Sequence, residues 1–300
     1  MVFRGLFIGI DRYQSPDANT LNCAVRDAQA LHALFTDTLK EQCENKLLTN
    51  ENATKKTIED AFEELYQASE DDVVFISFSG HGSDTHEIVP HDYNSHDVKN
   101  TSIPLEELQT WFEKIPAKTV VLLLDCCFSG GLGAKVLRSE MRPRMTKSVD
   151  TLLNELCGEG RVILTASSAE EAAWENQKVG HGLLTYFFVE ALKGAEEVID
   201  AGKVSILKLL EYVSKKVKDA ASNYGHPQNP ALRGTIDAHI MWPVFVIGDL
   251  YKDYFPDFSD AKATSELESL KSFGFPDQVI ECWASSIPSL NGKLELIGLS

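Results

Sequence analysis

Residues 73–83, VVFISFSGHGS, open with a nearly continuous run of apolar and β-branched residues and end with a histidine between two glycines. A run of this kind is typical of a parallel strand covered on both faces. Three further runs have the same character: VFRGLFIGI (2–10), TVVLLLD (119–125) and RVILTA (161–166). The sequence therefore predicts four central strands of a mostly parallel sheet.

Segments with helical periodicity lie between and after these runs. Apolar residues recur at helical spacing in five stretches: 23–39, 54–69, 103–115, 181–194 and 205–221. Gly194 is placed to end the fourth helix and Ser205 to begin the fifth. Strands that alternate with helices imply right-handed crossovers, so we predict an α/β fold with three layers and helices on both faces of the sheet.

The chain divides at about residue 249. Before it, HIMWPVFVIG (239–248) predicts a last strand, which Pro243 would confine to an edge or a bulge. After it, the composition changes to Asp, Ser, Phe and Pro. We predict one α/β domain over 1–248 and a small extension over 249–300, which is either a docking module or the start of a further domain.

The charge balance excludes several kinds of partner. With 28 basic and 45 acidic residues, the formal net charge is −17, which repels nucleic acid and anionic lipid. No apolar run is long enough to cross a membrane, and the first residues lack the features of a secretory signal. The six scattered cysteines suit a reducing compartment. We predict a cytoplasmic protein that binds neither nucleic acid nor membrane.

Two reactive residue types follow two of the predicted strands. SGHGS (79–83) places His81 after one strand, and DCCFSGG (125–131) places cysteines after another. Because the carboxyl ends of parallel strands meet at one edge of a sheet, we expect the imidazole and a thiol to be neighbours. Side chains two apart on an extended segment share a side, which pairs Cys127 with Asp125 and leaves Cys126 facing the core. The reversed assignment of the two cysteines remains open.

Five segments of the chain resemble the caspase-like cysteine peptidases, and among them the metacaspases and their bacterial relatives. In order along the chain they are GLFIGIDRY (5–13), LNCAVRDAQAL (21–31), FISFSGHGS (75–83), VVLLLDCCFSGG (120–131) and ILTASSAEEAAWE (163–175). His81 precedes Cys127 by close to the ~50 residues that separate this pair in the clan. The weaker HPQNPALRG (226–234) extends the resemblance to about residue 240.

The resemblance implies a role for each matching residue. Cys127 is the nucleophile, His81 the acid and base, and the backbone N–H groups of Gly82 and Cys127 form the oxyanion hole. The matching pocket residues are Asp27, Ser79 and Asp125, and the loop that shapes the groove contributes Ser167, Ser168 and Trp174. An acidic pocket favours arginine or lysine before the scissile bond, so we expect a protein substrate cleaved after Arg or Lys.

Several alternatives stay open at this point. Asp27 could be a solvated helix residue, and Trp174 could simply be packed. The locally basic segment 132–160 is either a site of self-cleavage or a loop that is never cut. The loop after His81 holds few acidic residues, so we expect no metal and no cofactor, with calcium activation as the alternative. For the whole chain, the rivals are a catalytically silent scaffold of the same fold and an amide hydrolase acting on small molecules.

Overall fold

The structure is a computed structural model, and it describes residues 2–83, 85–126, 136–137, 149–155, 157, 160–166, 175–176, 180–223, 228–235, 237 and 240–255. Within these ranges the strands are β1 (Phe3–Gly9), β2 (Cys43–Thr49), β3 (Val73–Ser79), β4 (Gly82–Ser83), β5 (Glu87–Ile88), β6 (Ile103–Pro104), β7 (Thr119–Asp125), β8 (Val136–Leu137), β9 (Arg161–Thr165), β10 (Glu175–Asn176), β11 (His181–Gly182), β12 (Ile199–Asp200), β13 (Lys203–Ser205), β14 (Ala231–Gly234) and β15 (Met241–Trp242). The helices are α1 (Ala24–Leu39), α2 (Lys55–Leu65), α3 (Val98–Thr101), α4 (Leu105–Glu113), α5 (Val149–Glu155), α6 (Leu183–Leu192), α7 (Ile206–Asn223) and α8 (Asp249–Tyr254).

A six-stranded sheet in the order β14-β9-β7-β3-β1-β2 forms the centre of the described fold. The strands β2, β1, β3, β7 and β9 run parallel, and β14 pairs antiparallel with β9. Each of the four apolar runs forms a strand of this sheet, namely β1, β3, β7 and β9, so the prediction of four central strands is confirmed.

Helices cover both faces of this sheet. Alternate strand residues point to opposite faces, so Phe75 packs with one core cluster and Ile76 with the other. The first cluster contains buried residues of α1, α6 and α7, and the second contains buried residues of α2, α4 and α5. The architecture is therefore the three-layer α/β fold that the sequence predicts.

The helix boundaries also follow the sequence signals. Helix α6 ends just before Gly194, which adopts a φ of +95°. A left-handed conformation of this kind favours glycine at the end of a helix. The side chain of Ser205 accepts a hydrogen bond from the backbone N–H of Lys208 at 3.5 Å, at the start of α7. Both predicted caps are confirmed.

Two strands of the central sheet, β2 and β14, were not predicted from apolar runs. The edge strand β2 has the sequence CENKLLT, whose polar residues interrupt any continuous apolar run. The short strand β14 has the sequence ALRG, and only its first and third residues are partly buried. An edge strand needs an apolar side chain only where it meets the core, so its signal in the sequence is weak.

The segment that follows Pro243 packs back onto the domain. Strand β15, which ends just before this proline, is an edge strand of the small sheet β12-β13-β15, as Pro243 leads one to expect. Helix α8 lies against α1 and is the last described element. Residues beyond 255 lie outside the described part, so the division into 1–248 and 249–300 remains a prediction. None of the helices in the described ranges combines the length and the apolar character needed to span a bilayer.

Candidate active site

The carboxyl ends of β3 and β7 bring the predicted catalytic segments to one edge of the sheet. These strands are parallel neighbours, and their last residues, Ser79 and Asp125, lie opposite each other. The backbone N–H of Gly80 donates a hydrogen bond to the carbonyl of Asp125 at 3.3 Å. The segments that follow Ser79 and Asp125 therefore start side by side.

His81 lies directly beyond β3 and is almost completely buried, with 1% of its surface exposed. Its Nε2 is 2.6 Å from the backbone carbonyl oxygen of Asn19. Because a carbonyl oxygen only accepts, this hydrogen bond requires the proton on Nε2, and Nδ1 of the neutral ring is then the nitrogen able to accept a proton. The hydrogen bond to Asn19 therefore orients the His81 ring so that Nδ1 can act as a base.

Tyr13 supports the same residue from the loop after β1. Its hydroxyl oxygen accepts a hydrogen bond from the backbone N–H of His81 at 2.8 Å and donates one to the carbonyl of Ile10 at 3.2 Å. The rings of Tyr13 and His81 lie with their centroids 5.0 Å apart. Tyr13 therefore fixes both the backbone and the ring of His81.

The chain after His81 is held by a small sheet and by a buried carboxylate. Gly82 in β4 pairs with Ile88 in β5, and the N–H of Val89 donates to the carbonyl of His81 at 3.1 Å. Glu87 is buried and accepts hydrogen bonds from the hydroxyls of Ser83 and Thr85. These contacts fix the backbone of the segment that contains Gly82.

The described acidic residues of this loop, Glu87, Asp92 and Asp97, have separate partners. Asp92 accepts a hydrogen bond from the backbone N–H of Lys55 at 2.8 Å, and Asp97 accepts one from the side-chain amide of Asn100 at 2.8 Å. No group of three or more His, Cys, Asp and Glu side chains suited to a metal ion occurs in the part of the chain that the structure describes.

Asp27 and Ser79, two of the predicted pocket residues, are in direct contact. The Ser79 hydroxyl donates to Asp27 Oδ2 at 2.9 Å, although the two residues belong to α1 and β3. Asp27 is 1% exposed, so it is not the solvated helix residue that was the alternative interpretation. Its other carboxylate oxygen, Oδ1, lies 2.9 Å from Nδ1 of His181.

Asp125 lies next to the same pair. Its Oδ2 accepts a hydrogen bond from the hydroxyl of Thr185 at 3.0 Å, and the carboxylate is buried. A Cβ added to Gly182 would lie 2.4 Å from Asp125 Oδ2 and 3.1 Å from Asp27 Oδ2. The two carboxylates therefore flank one point, and only a glycine fits between them. The structure brings Asp27, Ser79 and Asp125 together, as the sequence predicts.

Arg26, the neighbour of Asp27, engages other groups. Its Nε donates to the carbonyl of Gly180 at 3.1 Å, and its guanidinium carbon lies 4.8 Å from the centre of the Phe255 ring. Burial lowers the pKa of Arg26 from its usual value. The one basic side chain adjoining Asp27 in sequence thus lies over an aromatic ring.

The cysteines within the described ranges have features of structural thiols. Cys126 is 1% exposed and packs in the core cluster that contains α2, α4 and α5, as predicted. Burial raises the pKa of Cys43 to about 12 and also raises the pKa of Cys157. Thiols with a raised pKa carry little thiolate at neutral pH, so these residues are poor nucleophiles.

Several predicted residues lie outside the described part of the chain. They are Cys127, Ser167, Ser168 and Trp174, together with most of segment 132–160. Their assignments remain predictions.

Three contributors to the site were not assigned a role from the sequence. Tyr13 lies inside the motif GIDRY, but its contact with His81 joins segments 68 residues apart. His181 and Thr185 belong to HGLLTYFFVEALKG, which we interpreted only as a helix. For His181 and Thr185, the signal in the sequence is the presence of polar side chains around the start of an otherwise apolar helix.

Comparisons with known proteins agree with this fold. The sequence model of the caspase domain matches residues 4–239. No curated protein matches the chain significantly. The solved structure of a Geobacter sulfurreducens protein is similar with a TM-score of 0.58 at 16% identity, over 83% of this chain and 100% of that one. Caspase-1 from Spodoptera frugiperda is similar with a TM-score of 0.56 at 15% identity, over 81% and 89% of the two chains. At these identities the structural similarity demonstrates a shared fold.

Proposed function

The chain belongs to the caspase-domain family of cysteine peptidases, and we propose that it is a cysteine endopeptidase that cleaves protein substrates after arginine or lysine. In this proposal Cys127 is the nucleophile and His81 is the acid and base. One observation carries the proposal: a buried, oriented histidine directly follows β3, and two buried carboxylates approach the same glycine beside the last residues of β3 and β7, which are adjacent parallel strands.

The orientation of His81 supports its part in the chemistry. With the proton of the neutral ring on Nε2, toward the carbonyl of Asn19, Nδ1 can take the thiol proton of Cys127. The thiolate then attacks the peptide carbonyl, and the imidazolium returns the proton to the departing amine. Water hydrolyses the resulting thioester in a second step and regenerates the thiol.

Fixed backbone donors would stabilise the tetrahedral intermediate. We assign this part to the N–H groups of Gly82 and Cys127, since donors held in place before the reaction need no reorganisation when the oxyanion forms. The hydrogen bonds of the loop after His81, including those to buried Glu87, support a rigid Gly82.

The carboxylates support the preference for basic side chains. Asp27 and Asp125 both approach Gly182, and Ser79 contributes a hydroxyl, so a guanidinium or ammonium group bound beside these residues would meet two negative charges. Charge-assisted hydrogen bonds to carboxylates are stronger than neutral ones, and arginine can form two in parallel. We assign Ser167, Ser168 and Trp174 to the wall of the adjoining substrate groove.

The proposal has three further parts. Peptide hydrolysis by this pair needs no cofactor, and we propose none. Segment 132–160 contains Arg and Lys, the residue types the pocket would accept, so we propose it as a site of self-cleavage. We place the protein in the cytoplasm, where the thiols of the four described cysteines would remain reduced.

The test is hydrolysis of matched fluorogenic peptides that differ only in the residue before the scissile bond. We expect turnover of the Arg and Lys peptides, none of the Asp peptide, and a loss of at least ~1,000-fold in kcat for Cys127→Ala, because the covalent step is removed. Cys126→Ala is the matched control and should retain most activity, since that side chain is buried in the core.

Each other outcome of this assay contradicts a part of the proposal. Cleavage after Asp would contradict the acidic pocket. No turnover of any peptide would favour the scaffold, and loss of activity in Cys126→Ala but not in Cys127→Ala would reverse the two cysteines.

A further inference from the structure

The carboxylate of Asp27 is bound by a strand that has no role in the chemistry described so far. Strand β11 places His181 Nδ1 at 2.9 Å from Asp27 Oδ1, and the backbone N–H of Gly182 is 3.2 and 3.3 Å from the two carboxylate oxygens. Ser79 donates to Oδ2 from the opposite element, β3. The carboxylate is thus held from two sides by donors of different elements.

This arrangement fixes the proton of the neutral His181 ring. A carboxylate oxygen only accepts, so Nδ1 of His181 carries the proton that it donates to Asp27. His181 is 7% exposed and Asp27 is 1% exposed, so little water can replace this donor if it is removed. A carboxylate that loses one of two fixed side-chain donors is held less firmly in the position that it needs to bind a substrate cation.

The remaining surroundings of the His181 ring hold it in place. The ring of Phe255, which follows helix α8, lies with its centroid 5.7 Å from that of His181. The guanidinium of Arg26 lies over the same phenylalanine. Two further charged groups lie beside this strand: Asp125 Oδ2 would be 2.4 Å from a Cβ added to Gly182, and Arg26 Nε donates to the carbonyl of Gly180. Packing therefore limits the ring to the orientation that serves Asp27.

We propose that His181 is a positioning residue for substrate specificity: its Nδ1–H holds the Asp27 carboxylate in the orientation that binds arginine or lysine. The inference depends on the proposed function because it deepens the account of the same acidic pocket. It adds a residue that makes no contact with the cleaved bond and acts only through Asp27.

Two substitutions at one position test the role of the donor. His181→Asn places a side-chain N–H close to the former position of Nδ1, whereas His181→Leu fills the space without a donor. We expect His181→Leu to lower the preference for an arginine peptide over its uncharged citrulline analogue by roughly tenfold, the usual cost of a lost hydrogen bond to a charged group. The loss should be in KM of the arginine peptide and not in its kcat, and His181→Asn should restore most of it.

Binding measurements separate this inference from the proposed function. Calorimetry on Cys127→Ala, alone and combined with each His181 substitution, reports the arginine-to-citrulline preference of peptide ligands without any turnover. Preference that falls in the Leu variant and returns in the Asn variant supports the inference even if the wild type proves inactive. Preference equal in all three proteins overturns the inference even if the wild type cleaves after arginine.

Two further results would also overturn the role of His181. One is the absence of any arginine preference in Cys127→Ala itself, which would contradict the acidic pocket as well. The other is an equal loss in the Asn and Leu variants while their melting temperatures match that of the parent, because a donor at the Nδ1 position would then be irrelevant.

Discussion

At the scale of single residues, the orientation of His81 depends on neighbours from one loop. Asn19 supplies the acceptor for Nε2, and Tyr13 supplies the acceptor for the backbone N–H. Both residues lie between β1 and α1, so this loop fixes the imidazole before any substrate arrives. Preorganisation of this kind lowers the cost of reaching the transition state.

Tyr13→Phe tests that support. The substitution keeps the ring that packs on His81 but removes the acceptor of its backbone N–H, leaving a buried donor unsatisfied. We expect kcat for an arginine peptide to fall roughly tenfold with KM little changed, as for a group that orients the catalytic base. Steady-state kinetics measures the effect, and Tyr66→Phe, a tyrosine that lies near Lys114, is the control. An unchanged kcat would show that Tyr13 is dispensable for the orientation of His81.

At the scale of elements, the carboxylate of Asp37 in α1 caps the start of α8. The carboxylate oxygens of Asp37 accept hydrogen bonds from the backbone N–H groups of Gly248, Leu250 and Tyr251 at 3.1, 3.1 and 2.9 Å. These are the groups at the start of a helix that lack partners within it. A residue distant in sequence thus caps α8, which explains why no cap was evident in the sequence around residue 249.

Asp37→Ala should weaken this attachment by about 1 kcal/mol, the usual effect of losing a helix cap. Hydrogen exchange of the amides of residues 248–251 should become faster, while exchange in the central strands stays the same. Asp60→Ala on α2 is the matched control, because Asp60 forms an exposed ion pair with Lys56 that contributes little. Equal exchange in wild type and Asp37→Ala would contradict the capping role.

At the scale of the whole molecule, Asp72 joins the start of the first strand to the chain that leads into β3. It accepts hydrogen bonds from the backbone N–H groups of Val2 at 2.7 Å and Ser69 at 2.9 Å, and from Arg4 Nε at 3.3 Å. Burial opposes the charge of Asp72, but these hydrogen bonds outweigh burial and lower its pKa to about 2.

The pKa of Asp72 predicts a pH dependence of stability. A carboxyl group with a lowered pKa in the folded state stabilises the protein above its unfolded pKa, near 4, and this contribution is lost as the pH falls toward 2. We expect the contribution to be about 2 kcal/mol and absent from Asp72→Asn. Urea unfolding at a series of pH values measures it, with the exposed neighbour changed in Asp71→Asn as control. The same pH profile for Asp72→Asn and wild type would refute the assignment.

The sequence predicts the centre of the fold better than its edges. Strands β3 and β7 are buried on both faces, so their apolar runs are continuous and visible. Strand β2 meets the core with only part of its residues, and β14 is four residues long, so neither gives a clear pattern. The information that places these strands is in the pairing with their neighbours, which a single sequence does not display.

The same distinction applies to the candidate site. The group Asp27, Ser79 and Asp125, which the family resemblance implies, does lie together. His181 could not be assigned, since its contact with Asp27 joins residues 154 positions apart. A contact of that kind follows from the packing of β11 beside α1, and the local sequence shows only that His181 is a polar residue before an apolar helix.

Covalent labelling with a peptidyl-arginine chloromethyl ketone tests the central claim most directly, since it requires a reactive thiolate, a competent histidine and an acidic pocket at once. The thiolate would displace chloride and leave a thioether. We predict that peptide mapping by mass spectrometry finds the label on Cys127 of the wild type, that the citrulline analogue labels far more slowly, and that Asp27→Asn removes this difference. A label on another cysteine, or equal labelling by both reagents in the wild type, would contradict the account.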